Sequence, residues 1–376
     1  MRFLPIVLLS LAAAVARAET APVPPPPALP ATAWILVDQD SGTVLASREA
    51  DASVEPASLT KLMTAYAVFH ALGDGKLRLD GGVPVSERAW KAEGSRTFVD
   101  VGTRVPVEAL IQGMIVQSGN DATIALAEAV AGTEETFAAL MNQYAERLGM
   151  RGSHFENSTG LPGATHRMTV ADIARLTRAI IREFPDYYRW YSQREFTWNN
   201  ITQPNRNGLL GRDPSVDGVK TGMTESAGYC LVSSAKRDGM RLVAVVMGTD
   251  SMKAREDASL ALLNYGFSFF ETTKLKAAGS EVAVQRIYKA RGGRAAVGPA
   301  DDLWVTLPRG MAARATFAVE LAPRVFAPLS ASDRTGVVRA LVDGKVVAEA
   351  PLSPLADVPR GNIFRRIWDT ILSWFA

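Results

Sequence analysis

Residues 216–248 read VDGVKTGMTESAGYCLVSSAKRDGMRLVAVVMG, and their apolar and polar pattern indicates the fold class. It holds three short apolar segments, at 218–222, 227–235 and 240–248. Turn-forming residues separate these segments, first Met223-Thr224 and then Arg237-Asp238-Gly239. Short apolar runs between turn signals predict three consecutive strands.

Outward from this stretch, the start of the chain predicts a hairpin and the middle predicts helices. Apolar runs at 34–37 and 43–46 flank the turn sequence DQDSG at 38–42. Helices are predicted over Ala57–Leu72, 107–116, 121–131, 133–148, 169–184 with Thr169 as N-cap, and Ala254–Glu271. Strands that enclose a helical middle predict one α+β domain over residues 33–276, whose sheet is completed by its first and last segments.

A second, smaller, β-rich domain is predicted over residues 277–358. Short alternating runs occur there, such as Arg314–Leu321 and Val337–Leu341. The sequence Val342-Asp343-Gly344-Lys345 is a strong hairpin signal, because Asp-Gly favours the turn that joins two antiparallel strands.

The N-terminal segment has the features of export. Residues 1–18 combine Arg2, a short apolar run and the exit Ala16-Arg17-Ala18, which predicts a secretory signal peptide. The alternative, a membrane anchor, is disfavoured because the run is shorter than the ~20 residues that span a bilayer. The proline-rich residues 19–32 predict an extended linker. Cys230 is the single cysteine, so no intramolecular disulfide can form.

The C-terminal segment, residues 359–376, predicts an amphipathic helix. At 100° per residue, one half of the helix is apolar and the other half holds Arg365, Arg366 and Asp369. Such a helix is too short to span a bilayer but suits its interface, where arginines face anionic headgroups. Docking on the protein itself is the alternative. The net charge of +2 over 376 residues argues against a nucleic-acid partner.

The first chemical motif is Ser58-Leu59-Thr60-Lys61 at a predicted helix start. On a helix, residues three apart share a face, so the hydroxyl and the amine can meet. Unpaired N–H groups at the helix start can also stabilise an oxyanion. Residues 233–236 repeat the Ser-x-x-Lys spacing, but in a predicted strand, where residues three apart point to opposite faces.

Two further elements strengthen the signal of that serine and lysine. Ser118-Gly119-Asn120 lies between two predicted helices and supplies a hydroxyl and an amide. Lys220-Thr221-Gly222 lies on a predicted strand and supplies a cation, a hydroxyl and a glycine that lets substrate approach the backbone. Arg334-Thr335-Gly336 nearly repeats this tripeptide in the second domain without a serine partner nearby.

In their order and context these motifs resemble penicillin-binding proteins and serine β-lactamases. The segments that carry the resemblance are PASLTKLMT at 56–64, QSGNDA at 117–122, NRNGLL at 205–210 and VDGVKTG at 216–222. They are most similar to the low-molecular-mass D-alanyl-D-alanine carboxypeptidases. The resemblance implies a transpeptidase-like α+β fold, with an antiparallel sheet flanked by helices and a helical subdomain, followed by a small β domain and an amphipathic helix.

The resemblance also implies the chemistry. Ser58 would attack the carbonyl between the two terminal D-alanines of a peptidoglycan stem peptide and form an acyl-enzyme. Lys61 would accept the serine proton, and Lys220 is the neighbouring cation expected to lower the pKa of Lys61. Ser118 would pass the proton to the leaving amine, while Asn120 would hold Lys61 and the substrate amide.

Substrate recognition is implied for the third motif and two arginines. Thr221 and Gly222, together with Arg255 and Arg206, would bind the terminal carboxylate and the peptide. The backbone N–H groups of Ser58 and Met223 would form the oxyanion hole. Many of these carboxypeptidases have histidine where Met223 stands, so any side-chain contribution at this position is not carried over.

The resemblance implies two kinds of ligand, D-Ala-D-Ala stem peptides and β-lactam antibiotics. It also implies that the protein lies in the periplasm, where its C-terminal helix binds the outer face of the inner membrane.

No cofactor or metal is expected, because His70, His154 and His166 have neither zinc spacing nor triad context. A β-lactamase is disfavoured, since residues 156–163 (ENSTGLPG) lack the lactamase Glu-x-x-x-Asn pattern. A D,D-endopeptidase and a catalytically silent cell-wall-binding protein stay open as alternatives.

Overall fold

The computed structural model describes residues 23–373. The predicted signal peptide, residues 1–18, lies outside the described residues, as do residues 19–22 of the predicted linker. Trp374 and Phe375, which the helical pattern assigns to the apolar side of the C-terminal helix, also lie outside them.

The helices follow the periodicity of the sequence. They are α1 Lys61–Gly73, α2 Glu87–Trp90, α3 Val107–Val116, α4 Asn120–Ala131, α5 Glu134–Leu148, α6 Val170–Glu183, α7 Pro185–Tyr188, α8 Leu209–Arg212, α9 Met252–Phe269 and α10 Ile363–Leu372. Short 3-10 helices span Ala57–Thr60, Arg189–Ser192 and Ala312–Arg314. Thr169 caps α6 as predicted, because its hydroxyl accepts the Asp172 N–H at 3.1 Å.

Within residues 23–373, the strands group into two larger sheets and three short pairs. They are β1 Ala33–Asp38, β2 Val44–Arg48, β3 Gly82–Pro84, β4 Arg104–Pro106, β5 Glu195–Trp198, β6 Ile201–Pro204, β7 Val216–Thr224, β8 Gly228–Arg237, β9 Met240–Thr249, β10 Phe270–Lys276, β11 Ala283–Arg286, β12 Arg294–Pro299, β13 Leu303–Pro308, β14 Ala315–Leu321, β15 Gly336–Val342 and β16 Lys345–Pro354. The first domain has a five-stranded antiparallel sheet in the order β2-β1-β9-β8-β7.

Strand β1 joins the two ends of the α+β domain. It pairs with β2 on one side and with β9 on the other, so that Leu36 lies opposite Ala244. Its side chains alternate between the two faces. Ile35 and Val37 pack into the core with α1, α3 and α4, while Trp34 and Leu36 pack on the other face with α9. The prediction of a sheet completed by its first and last segments is confirmed.

The second domain is built on a five-stranded sheet in the order β11-β12-β16-β15-β14. The predicted hairpin at Asp343-Gly344 joins β15 to β16, and both residues have positive φ, at 52° and 79°. Asp-Gly tolerates this left-handed backbone, so the turn fits the twist of the strands.

The chain between the domains differs from the sequence prediction. The helix predicted over Ala254–Glu271 ends at Phe269, and Phe270–Lys276 forms β10. This strand pairs with β13 of the second domain and not with the first sheet. Its β-branched Thr272 and Thr273 favour a strand over a further helical turn.

A buried polar contact joins the two domains at the β1–β2 hairpin. Thr272 donates its hydroxyl hydrogen to Asp38 Oδ2 at 2.6 Å, and Ser41 Oγ lies 2.6 Å from Thr306 Oγ1. Thr272 Oγ1 and Thr306 Oγ1 are 2.9 Å apart. Asp38 is fully buried, and a buried carboxylate needs hydrogen-bond donors. These short side chains and the N–H groups of the turn supply them.

Helix α10 has its polar side against the protein and its apolar side exposed. Asp369 is only 1% exposed and accepts the Lys289 backbone N–H at 2.6 Å, whereas Phe364, Ile367 and Trp368 are exposed. Within residues 23–373, no helix combines the length and apolar character needed to cross a membrane. The exposed face disfavours the alternative of an apolar face docked on the chain itself.

The loop 156–163 packs against the first 3-10 helix at Gly160. The φ of Gly160 is 88°, and a Cβ built there would lie 1.8 Å from the Ala57 carbonyl oxygen. Only glycine fits this contact, because it tolerates the left-handed backbone and leaves room for the carbonyl.

We expect Gly160→Ala to lower the free energy of unfolding by about 2–5 kcal/mol, because a left-handed conformation costs roughly 1–2 kcal/mol and overpacking adds about 1–3. Gly75→Ala is the control: its φ is 72°, but nothing lies within 4 Å of its Cβ position. This control is expected to lose only the conformational part. Urea unfolding of both variants gives the comparison, and equal losses would show that the Ala57 contact costs nothing.

Candidate active site

The serine and lysine of the first motif meet as their spacing predicts. Ser58 lies in the 3-10 helix Ala57–Thr60, which runs directly into α1, and Lys61 is the first residue of α1. The Lys61 amine donates to Ser58 Oγ at 3.0 Å. Lys61 is 1% exposed, so this amine is held at the serine hydroxyl away from bulk water.

The second partner of the Lys61 amine was not found from the sequence. Lys61 Nζ donates to the carbonyl oxygen of Thr159 at 2.7 Å. Thr159 belongs to the loop 156–163, whose sequence differs from the lactamase pattern but predicts no contact with Lys61. A backbone carbonyl leaves no residue-type signal, although the glycine that follows it marks a tight loop.

Burial is the largest cause of the low pKa of the Lys61 amine. It lowers the pKa of Lys61 to about 7, and the Arg206 guanidinium lowers it further, against the carboxylates of Glu134 and Asp121. From the sequence, Lys220 is the cation expected to lower this pKa. Lys220 does lie within electrostatic reach of Lys61, because the charge of Lys61 helps, after burial, to lower the pKa of Lys220, and this repulsion between two cations is mutual.

The second motif forms the turn between α3 and α4. Ser118 has a φ of 62°, a left-handed conformation that is uncommon for serine, and Asn120 begins α4. Both side chains are buried. Ser118 Oγ and Asn120 Oδ1 have no hydrogen-bond partner among residues 23–373, so each is available to a ligand or to water.

Asn120 is held differently from the prediction that it would hold Lys61. Its Nδ2 donates to the Glu93 carbonyl at 2.5 Å, and its backbone N–H donates to the Ser95 carbonyl at 2.6 Å. The neighbouring Asp121, which sequence reasoning missed, accepts the N–H groups of Thr97 and Phe98 at 2.8 Å each. These bonds tie the segment 93–99 to the start of α4.

The third motif lies on β7, which is an edge strand of its sheet. Lys220, Thr221 and Gly222 are buried, and Lys220 Nζ donates to the Thr221 carbonyl at 3.0 Å. A Cβ at Gly222 would lie 3.2 Å from the Pro56 carbonyl and 3.3 Å from Ala57 Cβ. The close approach that this glycine permits is therefore to the 3-10 helix of Ser58, whereas the motif predicts a close approach of the substrate.

The two arginines occupy different environments. Arg255, on α9, is 3% exposed and donates to the carbonyls of Gly222 and Arg206, each at 3.3 Å. It thus lies behind β7 and holds the backbone of the third motif. Arg206 is exposed and donates to Ser95 Oγ at 2.7 Å, which places a guanidinium beside the second motif.

Met223 follows the third motif on the same edge strand. Its side chain is 54% exposed, and its Cα lies opposite Tyr229 of β8. A thioether is a weak acceptor and does not titrate, so this side chain supplies no acid or base. Any role of this position rests on its backbone N–H.

Two histidines, His166 and His70, and the loop glutamate Glu156 have structural partners. His166 is buried, donates from Nε2 to Thr60 Oγ1 at 2.8 Å and accepts the Glu156 N–H at Nδ1; burial lowers its pKa to about 4. His70 stacks on Tyr144. The Glu156 carboxylate is exposed and binds Thr165. Among residues 23–373, no three His, Cys, Asp or Glu side chains form a group that could hold a metal ion.

Comparison with known families identifies both domains. A family model described as D-alanyl-D-alanine carboxypeptidase matches residues 18–251. A second model, described as the C-terminal domain of penicillin-binding protein 5, matches residues 270–360. This second range begins with β10, in agreement with the pairing of that strand with β13.

Individual proteins extend the similarity over most of the chain. DacA of Escherichia coli strain K12, a D-alanyl-D-alanine carboxypeptidase, is 39% identical over 362 residues, covering 94% of this chain and 90% of that protein. The structure of penicillin binding protein 5 from Haemophilus influenzae matches with a TM-score of 0.82 and 40% identity, over 89% of this chain and 99% of that chain. Penicillin-Binding Protein D2 from Listeria monocytogenes, in its ampicillin-bound form, has a TM-score of 0.57 and 29% identity, over 65% of this chain and 100% of that chain.

These matches confirm the expected fold, an α+β domain of the penicillin-binding-protein and serine β-lactamase type followed by a β domain. They also agree with the geometry, in which the Lys61 amine bonds to the Ser58 hydroxyl and the 3-10 helix of Ser58 packs against Gly222 of the edge strand β7. The chain belongs to the D-alanyl-D-alanine carboxypeptidase family, peptidase family S11.

Proposed function

We propose that this serine-type D-alanyl-D-alanine carboxypeptidase removes the terminal D-alanine of peptidoglycan stem peptides through an acyl-enzyme on Ser58. The observation that carries the proposal is the Lys61 amine, which is buried, has a pKa of about 7 and lies 3.0 Å from the Ser58 hydroxyl. A lysine with its usual pKa near 10.4 is neutral in only about one part in 10³ at pH 7. Burial therefore converts Lys61 into a base that works at neutral pH.

Acylation then follows from the positions of the hydroxyls. Lys61 accepts the proton of Ser58 as the serine oxygen bonds to the carbonyl carbon between the two D-alanines. The N–H groups of Ser58 and Met223 stabilise the oxyanion. The C–N bond breaks as the unpartnered Ser118 hydroxyl gives its proton to the leaving D-alanine amine and takes the proton that Lys61 holds, so that Lys61 is neutral again. Water then cleaves the ester and restores Ser58.

Substrate binding is proposed along the free edge of β7. An extended peptide can pair with an edge strand through its backbone, and Thr221 and Gly222 lie on that edge beside Ser58. The terminal carboxylate of the substrate would bind the Thr221 hydroxyl near the guanidinium of Arg206. Arg255 would contribute its charge from behind the strand, where it holds the Gly222 carbonyl. Asn120, through its unpartnered Oδ1, would accept from the substrate amide.

β-Lactam antibiotics are proposed as covalent ligands of the same serine. A β-lactam carbonyl can take the position of the D-Ala-D-Ala carbonyl and acylate Ser58. Support comes from the similar catalytic domain of the Listeria protein, which was crystallised in an ampicillin-bound form. Lys220 would add a positive charge beside the reacting carbonyl.

We also propose that the enzyme rests on the outer face of the inner membrane in the periplasm. The exposed apolar face of α10, with Phe364, Ile367 and Trp368, suits the boundary between headgroups and acyl chains. Beside it lies a groove of about 710 Å³, whose lining includes Arg291 and Arg360. Guanidinium groups at this position would attract anionic phospholipid headgroups.

Ser58→Ala is expected to abolish covalent labelling by a fluorescent penicillin and the release of free D-alanine from a pentapeptide, because the acyl-enzyme cannot form. Ser233→Ala is the matched control, since Ser233 belongs to the second Ser-x-x-Lys sequence but lies within β8. It should label like the wild type. Labelling of Ser58→Ala would contradict the assignment of the nucleophile, and faster cleavage of a cross-linked dimer than of the pentapeptide would favour an endopeptidase.

The rate of acylation is expected to rise with pH through about 7, the pKa of Lys61, because only the neutral amine can accept the serine proton. Below that pH the amine is protonated and the rate falls. Lys61→Arg keeps the charge but cannot lose its proton, so its rate should drop by roughly 10²–10⁴ without recovering at higher pH. Stopped-flow labelling between pH 5 and 9 measures both; a flat wild-type profile would contradict Lys61 as the base.

Ile367→Glu is expected to release the protein from vesicles that contain anionic lipid, because it sets a charge on the exposed apolar face of α10. Thr370→Glu adds the same charge on the polar side of the same helix and serves as the control. Vesicle sedimentation measures binding, and D-alanine release should be unchanged in both variants. Equal retention of the two variants would argue against insertion of this face.

A further inference from the structure

The backbone carbonyl that holds the Lys61 amine is itself fixed by a buried carboxylate outside the three motifs. Glu134, the first residue of α5, is 6% exposed. Its Oε1 accepts the Ser158 N–H at 3.0 Å and the Ser158 hydroxyl hydrogen at 2.6 Å. Ser158 directly precedes Thr159, whose carbonyl accepts from Lys61 at 2.7 Å.

The other backbone group of Ser158 is fixed as well. The Ser158 carbonyl accepts the hydroxyl hydrogen of Thr64 at 2.6 Å, and Thr64 lies on α1 three residues after Lys61. The Ser158 N–H and carbonyl belong to the peptide units before and after this residue, so both units are held and they restrict where the Thr159 carbonyl can point. The Thr159–Gly160 peptide is held in addition by the Gly160 N–H, which donates to Asn157 Oδ1 at 2.7 Å. Glu134 supplies two of these bonds, and they are charge-assisted and buried.

We infer that Glu134 is a positioning residue for acylation: through Ser158 it holds the Thr159 carbonyl against the amine of Lys61. The inference rests on the proposed role of Lys61 as the base. Arg88 extends the contact to the surface, since its Nη2 donates to Glu134 Oε2 at 2.7 Å and the arginine is half exposed.

Charge gives Glu134 a second influence on the same amine. Two positive groups face Lys61, Arg206 from the loop before α8 and Lys220 from β7, and both oppose its protonation. Two carboxylates favour protonation, Asp121 on α4 and Glu134 on α5. Removing the Glu134 charge therefore makes the Lys61 amine easier to deprotonate. Removing the Arg88 charge makes the amine harder to deprotonate, because the Arg88 guanidinium then no longer offsets the carboxylate of Glu134.

The test compares acylation rates against pH, by fluorescent-penicillin labelling normalised to titrated active sites. Glu134→Gln should move the acid limb to lower pH by roughly 0.5 to 1 unit, because the neutralised carboxylate no longer favours the charged amine. It should also lower the plateau rate, since an amide holds Ser158 less well. Ser158→Ala should lower the plateau several-fold and leave the limb in place.

Glu135→Gln is the matched control. Glu135 is the exposed neighbour of Glu134 and binds the same Arg88, through Nη1 at 2.7 Å, but it does not contact Ser158. Its pH profile should coincide with that of the wild type. Arg88→Gln should move the limb in the opposite direction, to higher pH, and gives a surface variant with which to test the charge effect if Glu134→Gln does not fold.

An acid limb that stays in place in Glu134→Gln, or the same shift in Glu135→Gln, would overturn the inference. So would an unmoved or lowered limb in Arg88→Gln. A purely structural role for Glu134 predicts fewer active sites and an unchanged limb, which this normalisation separates. Failure of the wild type to label would contradict Ser58 as nucleophile, and with it this inference, so the two failures are distinguishable.

Discussion

The arrangement around Ser58 depends on one constraint, an amine kept out of water. A buried ammonium is costly unless a carboxylate pairs with it directly, and Lys61 instead bonds to two uncharged oxygens, Ser58 Oγ and the Thr159 carbonyl. These contacts satisfy the amine as a donor without fixing it as a cation. The 3-10 helix supplies the hydroxyl and the loop 156–163 supplies the carbonyl, and these two segments pack together at Gly160, while Gly222 of β7 packs against the same 3-10 helix.

Much of the fold followed from local pattern. The helices, the three strands over 216–248 and the turn at Asp343-Gly344 depend on periodicity and turn chemistry that a few neighbouring residues carry. The contact between Ser58 and Lys61 could be predicted equally well, because residues three apart on a helix lie on the same face. The end of α9 was missed by two residues, since the pairing of β10 with β13 is a contact between distant parts of the chain.

The rest of the site could not be predicted, because it depends on groups without a residue-type signature or on long sequence separations. The Thr159 carbonyl lies 98 residues from Lys61. From the sequence, Arg255 is expected to be a cation that binds a substrate carboxylate. Its guanidinium instead lies behind β7 and donates a hydrogen bond to the Gly222 carbonyl. The absence of a side chain at Gly222 predicts space for a ligand, but the 3-10 helix that carries Ser58 fills this space. In each case the motif identifies the residue and only the packing identifies its neighbour.

The orientation of α10 has a consequence for the molecule in the absence of lipid. Because Asp369 fastens the polar side of the helix to the β domain, the apolar side cannot roll inward to hide from water. The protein is then amphiphilic, with a large polar body and one fixed apolar face. We expect it to collect at air–water interfaces and, as its concentration rises, to associate through this apolar face into small micelle-like clusters that a mild detergent disperses.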